Sequence, residues 1–171
     1  MSNVPSTTAA KCLSFLSANQ PLPADAALSA DIVNELDSVR LWLCDHPVPE
    51  ALPLLLRVFG EGDGLGVYPL IEDTVARFPR DAVVAELAAV LEGSPDATRY
   101  WALQLASTFP SECMVKPICH LLPVLDHDSR LAALTALEAI GGDEARRCLT
   151  AWAQKEIDPE LRALISDIMA G

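Results

Sequence analysis

A chain of 171 residues has the length of one ordinary domain, and 51% of its residues are apolar, so a sizeable core is available. Only 5% of the residues are aromatic, whereas Ala and Leu are abundant, which favours close helix-on-helix packing. The formal net charge is −12, from 24 acidic and 12 basic side chains, and such a chain repels a phosphate backbone. We therefore expect an all-α protein that does not bind nucleic acid.

The cysteines and the N-terminal residues bear on the cellular compartment. The five cysteines are Cys12, Cys44, Cys113, Cys119 and Cys148. They are odd in number, lie on apolar helix-like stretches and lack the dense spacing of a disulfide scaffold, so we expect reduced core residues. The N-terminal segment has no signal-peptide pattern, and no apolar stretch approaches the length of a membrane-spanning helix. A cytoplasmic location without membrane contact is the expectation.

Two helices are predicted within residues 1–47. The first spans Ala9–Ala18, where apolar residues recur at helical spacing, with Thr7 or Thr8 as its cap. The second begins near Ser29 and carries an apolar stripe at the same spacing. Helical repeat arrays need atypical terminal units that cover the exposed apolar end, and we expect these two helices to form such a cap.

Four pairs of helices are predicted within residues 48–171. Proline, glycine and acidic residues separate them and match helix start and stop signals, with Ser94 or Asp96 as the cap of the fourth helix. The pairs are Pro49–Phe59 with Val67–Phe78, Asp81–Glu92 with Ala97–Phe109, Cys113–Leu125 with Ser129–Ile140, and Asp143–Lys155 with Asp158–Ala170.

A short pattern recurs along these pairs. An acidic turn leads to Arg, two further residues and then Ala-Leu, as in Asp96–Leu103 and again from Asp126 to Leu134. The arginines of the two copies, Arg99 and Arg130, are thirty-one residues apart, and Arg162 lies thirty-two residues further along in a similar segment. An interval of this size is typical of stacked helical repeats.

This pattern resembles that of the HEAT-repeat family, in which the second helix of each pair commonly follows an acidic turn and opens with a Val-Arg-like pair before small or aliphatic residues. The resemblance covers residues 48–171. It implies a right-handed α-α superhelix of about four helix pairs, preceded here by the N-terminal cap, in a single domain of residues 1–171. It also implies that the second helices line the concave side.

The sequence contains no recognised catalytic or metal-binding constellation. HEAT-like hydroxylases carry repeated His-Glu pairs, but none of the three histidines here is followed by Glu. Neither His46 nor His120 has a second pair at ligand spacing. His127 stands between two aspartates, which we expect to support its charge in solvent. We predict no metal and no cofactor.

The glycine-rich segment Gly60–Gly66 is a weak candidate for a phosphate site. It contains two carboxylates and no lysine, so it would repel an anion, and it lacks the oxygen ligands and closing Glu of a calcium loop. A mobile turn between helices is the prediction.

Two enzyme classes with HEAT-like repeats are alternatives to a binding protein. Alkylbase glycosylases use a basic concave groove with Trp and Asp, whereas this chain is acidic and its tryptophans, Trp42, Trp101 and Trp152, lie far apart. Bilin lyases, which act on a bound tetrapyrrole, have no compact motif whose absence could exclude them.

One face of the second helices is predicted to bind a partner. Positions 100, 104 and 107 share a helix face, and the repeat interval transfers them to 68, 72 and 75, to 131, 135 and 138, and to 163, 167 and 170. Aromatic and acidic side chains mix there, which suits a basic partner, although both tyrosines could instead fill wedges between repeats. The predicted partner-binding residues are Tyr68, Glu72, Tyr100, Gln104, Leu131, Thr135, Glu138 and Asp167.

A solenoid face without chemistry favours a non-catalytic protein-binding module. Its most concrete form is a small acidic antagonist, such as a bacterial immunity protein that covers the basic active site of a toxin. That form rests on size, charge, expected location and resemblance to HEAT-like proteins of this kind. An adaptor or assembly chaperone, and a bilin-lyase-like enzyme, are the alternatives.

Overall fold

A computed structural model describes residues 8–171, and every regular element in that range is helical, which confirms the all-α prediction. The ten α-helices are α1 (Ala9–Ala18), α2 (Ala30–Asp45), α3 (Ala51–Leu55), α4 (Ile71–Val75), α5 (Arg80–Gly93), α6 (Asp96–Thr108), α7 (Val115–Leu121), α8 (His127–Ile140), α9 (Gly142–Ala153) and α10 (Pro159–Ala170). Four short 3₁₀ helices span Asp25–Ala27, Tyr68–Leu70, Glu112–Met114 and Leu122–Val124. Within the described range, no helix combines the length and apolar character needed to cross a membrane.

The chain divides into two compact units, Met1–Glu86 and Leu87–Gly171, and the division falls inside α5. This boundary differs from the one predicted between the cap helices and the repeats, at residues 47 and 48. Each unit has its own apolar core. Leu36 and Leu55 are fully buried in the first unit, as are Leu103 and Leu134 in the second.

The first two helices follow their local signals. α1 has the predicted bounds, and Thr8 caps it by accepting a hydrogen bond from the backbone N–H of Lys11 at 3.4 Å. The alternative cap, Thr7, lies outside the described residues. Ser29 caps α2 in the same way, accepting from Ile32 N–H at 3.3 Å. In the first unit α1 packs against α3 and α2 against α4.

The next pair of helices is much shorter than predicted. α3 and α4 have five residues each, and neither has a side-chain cap. A 3₁₀ turn containing Pro69 precedes α4, and Pro53 lies inside α3. Proline lacks the N–H that continues a helical hydrogen-bond ladder, which accounts for the reduced length. The predicted ranges Pro49–Phe59 and Val67–Phe78 are therefore corrected.

In the second unit the long helices lie within one or two residues of the predicted bounds, with one exception. The predicted helix Cys113–Leu125 is divided into a 3₁₀ turn, the seven-residue α7 and another 3₁₀ turn. Pro117 and Pro123 lie in this segment and interrupt regular hydrogen bonding. α8 is central, since it packs against α6, α7, α9 and α10.

Side-chain caps fix where α8 and α10 begin. The Asp126 carboxylate accepts from Ser129 N–H at 2.8 Å and starts α8, and the Asp158 carboxylate accepts from Glu160 N–H at 2.9 Å and starts α10. The start of α6 is different. Pro95 occupies the cap position without a side-chain hydrogen bond, and Asp96 instead pairs with the guanidinium of Arg99. The prediction that Ser94 or Asp96 caps this helix is wrong.

The cysteines also differ from the prediction. Cys119 and Cys148 form a disulfide that joins α7 to α9, with a Cα–Cα distance of 6.1 Å. Of the other three, Cys12 is buried, Cys44 is partly buried and Cys113 is exposed. The expectation of five reduced core cysteines is therefore wrong, and so the cysteines no longer argue for a reducing compartment.

Candidate protein-binding surface

A buried carboxylate organises the end of the second unit at which α8 and α10 begin. The side chain of Glu156 is 0% exposed, and both of its oxygens accept from the Arg130 guanidinium, at 2.9 and 3.1 Å. It also accepts from the indole N–H of Trp152 at 2.9 Å and from the backbone N–H groups of Ile157 and Asp158 at 3.0 Å. The loop after α9 is thereby fixed to α8.

The same contacts keep Glu156 charged. Burial alone would raise the pKa of its carboxyl group, but the hydrogen bonds from Asp158 N–H and Trp152 and the charge of Arg130 more than offset burial and lower that pKa. A buried carboxylate that accepts from this many hydrogen-bond donors is a structural anchor for α8 and for the loop between α9 and α10.

Six of the eight predicted partner-binding residues lie on α6, α8 and α10, which are neighbours because α8 packs against both of the others. Five of them are exposed, including the apolar side chain of Leu131 at 39%, and Tyr100 is partly buried. We call this set the ridge: Tyr100, Gln104, Leu131, Thr135, Glu138 and Asp167.

Hydrogen bonds hold part of the ridge in place. The side-chain amide of Gln104 donates to the Tyr100 phenol oxygen at 3.1 Å, and the Tyr100 ring packs edge-to-face with Trp101 at 5.4 Å. The hydroxyl of Thr135 donates to the carbonyl of Leu131 one turn earlier, at 3.0 Å. The aromatic ring is thus oriented, and the Thr135 hydroxyl is engaged within its own helix.

Two ridge carboxylates converge on one cavity. A space of about 200 Å³ lies between α8, α9 and α10, and we call it the α8–α10 cavity. Its lining includes Leu137, Glu138, Ala145, Arg146, Leu149 and Asp167. Among residues 8–171, neither carboxylate has an ion-pair partner within 4.0 Å, and nor does Arg146. The cavity therefore combines an apolar floor with two unpaired carboxylates.

The two remaining predicted residues lie in the first unit. Tyr68 is 1% exposed, its phenol oxygen accepts from Gly60 N–H at 2.9 Å, and its ring packs edge-to-face with Phe59 at 5.3 Å. Burial raises the pKa of this phenol. The prediction that Tyr68 contacts a partner is wrong, because its ring is a core side chain. Glu72 is exposed on α4. We therefore restrict the candidate surface to the ridge.

The glycine-rich segment is held by a residue distant in sequence. The Asp25 carboxylate accepts from Asp63 N–H and Gly64 N–H, both at 3.0 Å, and the Asp63 carboxylate accepts from Gly66 N–H at 3.0 Å. The predicted mobile turn is instead anchored. Because carboxylates occupy these backbone donors, the donors are not available to a phosphate group.

His127 lies among carboxylates at the starts of α8 and α10. Its Nδ1 is 3.2 Å from Asp128 Oδ1, and its Nε2 is 3.5 Å from Asp158 Oδ2 and 3.8 Å from Glu160 Oε2. The hydrogen bond with Asp128 is the largest cause of a raised His127 pKa, and the charges of Asp158 and Glu160 add to it. The predicted support from a neighbouring aspartate is confirmed, whereas Asp158, the cap of α10, and Glu160 in its first turn were missed.

The same three residues, His127, Asp158 and Glu160, have ligand-type atoms within 4.8 Å of one another. Two helix N-termini meet there, and their positive ends disfavour a divalent cation. The raised pKa means that these carboxylates favour the protonated form of the imidazole. We interpret the cluster as an ionic link between α8 and α10 that forms when His127 is protonated.

No protein-family model matches the chain, and no curated protein matches it. The resemblance to HEAT repeats therefore depends on the repeated residues themselves.

Proposed function

We propose that this protein is a non-catalytic protein-binding module that recognises a basic partner through the ridge. The observation that carries the proposal is the position of Glu138 and Asp167, which share one cavity without an ion-pair partner among residues 8–171. Exposed Leu131 lies on the same helix as Glu138. An apolar contact beside unpaired acids is the composition expected where a basic protein docks.

The chemistry of the ridge supports binding rather than catalysis. The ridge contains no histidine, serine or cysteine, so it lacks the Ser–His or Cys–His pair of covalent catalysis. Its one aliphatic hydroxyl, on Thr135, donates to a carbonyl of its own helix.

The same proposal includes a HEAT-like, right-handed solenoid build. Its support is the recurrence of one helix start: Asp126 and Asp158 cap α8 and α10, and Arg130 and Arg162 follow each cap by four residues. The neighbouring positions of α6, α8 and α10 are those that second helices of stacked pairs would occupy.

The most concrete version of the proposal is a small acidic antagonist of a basic toxin, as in immunity proteins. The net charge of −12 and the acidic ridge support this version. It places the protein in the cytoplasm, where a disulfide such as Cys119–Cys148 is rare. Alkylation of the protein directly in acid-quenched cells, followed by mass spectrometry, tests the compartment.

The binding test begins with cross-linking and co-purification from the source cells, followed by association kinetics with the purified partner. Glu138→Lys is compared with Glu72→Lys, a matched charge reversal in the first unit. Leu131→Ala is compared with Leu70→Ala, since these leucines are 39% and 41% exposed. We expect Glu138→Lys to slow association and weaken its salt dependence, and Leu131→Ala to speed dissociation, while both first-unit variants bind as the wild type does.

Tyr100→Ala adds a probe of the aromatic anchor. A ring buried at an interface typically contributes about 2 kcal/mol or more, which would appear as faster dissociation. An acidic partner, or equal effects of the matched variants in the two units, would contradict the proposal. Several unrelated partners that all require the ridge would identify an adaptor rather than an antagonist.

A further inference from the structure

We infer that the α8–α10 cavity is a specificity pocket that receives one lysine or arginine side chain of the partner. The inference rests on the proposed function and adds the chemistry of the group recognised. The cavity is formed where α8, α9 and α10 meet, and Leu137, Ala145 and Leu149 in its lining are at most 1% exposed. Its floor is therefore apolar and belongs to the rigid core of the second unit.

The size of the cavity limits the occupant. About 200 Å³ is below the range of roughly 300–1,000 Å³ typical of pockets for whole small-molecule ligands. A tetrapyrrole is far too large for it. One extended side chain is the occupant that this volume suits.

The charges of the residues that line the cavity determine which kind of side chain can occupy it. Glu138 and Asp167 are exposed and contribute two negative charges, against the single positive charge of Arg146. An apolar occupant would remove water from two unpaired carboxylates without replacing their hydrogen bonds. A lysine or arginine side chain lays its methylene stem on the apolar floor and places its cation beside the carboxylates.

The test uses four small probes and the full chain. The probes are the N-acetyl methylamides of lysine, arginine, norleucine and glutamate, and binding is followed by ¹H–¹⁵N correlation spectra at the amides of Gly141, Ala145 and Asp167. Norleucine matches the lysine stem without its charge. We expect saturable shifts with lysine or arginine at about 10 mM, and none with norleucine or glutamate.

A matched pair of double variants tests whether the cationic probes require the two carboxylates of the cavity. Glu138→Gln with Asp167→Asn removes both cavity carboxylates, and Asp143→Asn with Glu144→Gln makes the same charge change on α9 outside the cavity lining. Two part-exposed ion pairs together contribute on the order of 1.4 kcal/mol, so the first double variant should bind the cationic probes roughly tenfold more weakly. The second should bind them within about twofold of the wild type.

Equal binding of norleucine and lysine, cationic binding that survives the cavity double variant, or no shifts at the highest probe concentration would each overturn the inference. These outcomes are separate from failure of the proposed function. Leu131 and Tyr100 lie outside the cavity lining. If partner binding is weakened by Leu131→Ala and Tyr100→Ala but not by the cavity double variant, only the inference is contradicted. If the cationic probes bind the cavity but the ridge variants bind the partner as the wild type does, the proposed function is contradicted instead.

Discussion

The two units of this chain reach a helical fold by different means. In the second unit, α8 and α10 have fourteen and twelve residues and begin at aspartate caps, and α6, α7, α9 and α10 pack against α8. In the first unit, α3 and α4 have five residues each and no side-chain cap, and the segment between them is held by contacts such as the bond from Gly60 N–H to Tyr68. The comparison teaches that a repeat interval predicts structure only where the residues that start each helix recur as well.

The two units also differ in how deeply their ionic contacts are buried. Glu156 in the second unit is buried and accepts from four groups, whereas the Arg57–Glu86 pair of the first unit is about one-third exposed on both sides, at 3.3 Å. Screening by solvent makes the second kind of pair weak. The Glu156 network therefore contributes to the fold of the second unit, while the Arg57–Glu86 pair contributes little to that of the first.

The largest expected effect is that of Glu156→Ala. It leaves the Arg130 guanidinium, the Trp152 indole and two backbone N–H groups without their acceptor, which should lower the free energy of unfolding by about 3–5 kcal/mol. The matched variant Glu86→Ala should change it by at most about 1 kcal/mol. Urea denaturation followed by circular dichroism measures both, and similar losses in the two variants would contradict the comparison.

The pH dependence of the Glu156→Ala effect gives a second test of this network. Because the folded-state pKa of Glu156 is lowered, its contribution to stability is present above the ordinary value of 4.5 and is lost as the pH falls through the folded-state pKa. The difference between wild type and Glu156→Ala should therefore shrink in acid. A difference that stays constant down to the lowest pH at which the protein folds would rule out the charged form as its source.

An intermediate effect is expected for Tyr68→Phe in the first unit. The variant keeps the ring but removes the acceptor of the buried Gly60 N–H, which should cost about 1–3 kcal/mol. Tyr100→Phe is the control, since within residues 8–171 its phenol bonds only to the exposed Gln104 amide, and the loss of this bond should cost less. Chemical denaturation of both variants gives the comparison, and an equal loss would argue against the buried role of Tyr68.

The smallest expected effect is a pH-dependent one at His127. Its pKa is raised, so its contribution to stability is complete below the ordinary value of 6.5 and disappears as the pH rises through the folded-state pKa. His127→Ala should lower the melting temperature more at pH 5.5 than at pH 8.5, and added salt should reduce the difference. His120→Ala, an exposed histidine on α7 of the same unit, is the control. An effect of His127→Ala that is independent of pH would exclude a charged histidine link.

Local signals account for what the sequence predicted well. The periodic apolar residues and capping side chains of α1, α2, α8 and α10 lie within a few positions of each other, so the sequence displays them directly. The repeat interval also placed Glu138 and Asp167 on related faces, and both line the same cavity. The residues of the ridge could therefore be placed from the sequence wherever the helix bounds were predicted correctly.

Contacts between distant segments account for what the sequence did not predict. Asp25 anchors a loop nearly forty residues away, and Cys119 bonds to a cysteine 29 positions later, yet no local pattern pairs them. Tyr68 was misassigned for another reason. The repeat interval was carried back to a position where Val67 replaces the arginine and Pro69 shortens the helix, so the assumed face no longer applied.

The anchored glycine-rich loop has a consequence for the chemical ageing of the protein. Asp63 precedes Gly64, and such a pair converts to a succinimide and then to isoaspartate when the glycine nitrogen attacks the aspartate carboxyl carbon. Here the Gly64 N–H is bonded to Asp25 and the Asp63 carboxylate to Gly66 N–H, so both reacting groups are held by other partners. Isoaspartate at position 63 should therefore form mainly when this loop opens, and its slow accumulation would record how often the first unit unfolds locally.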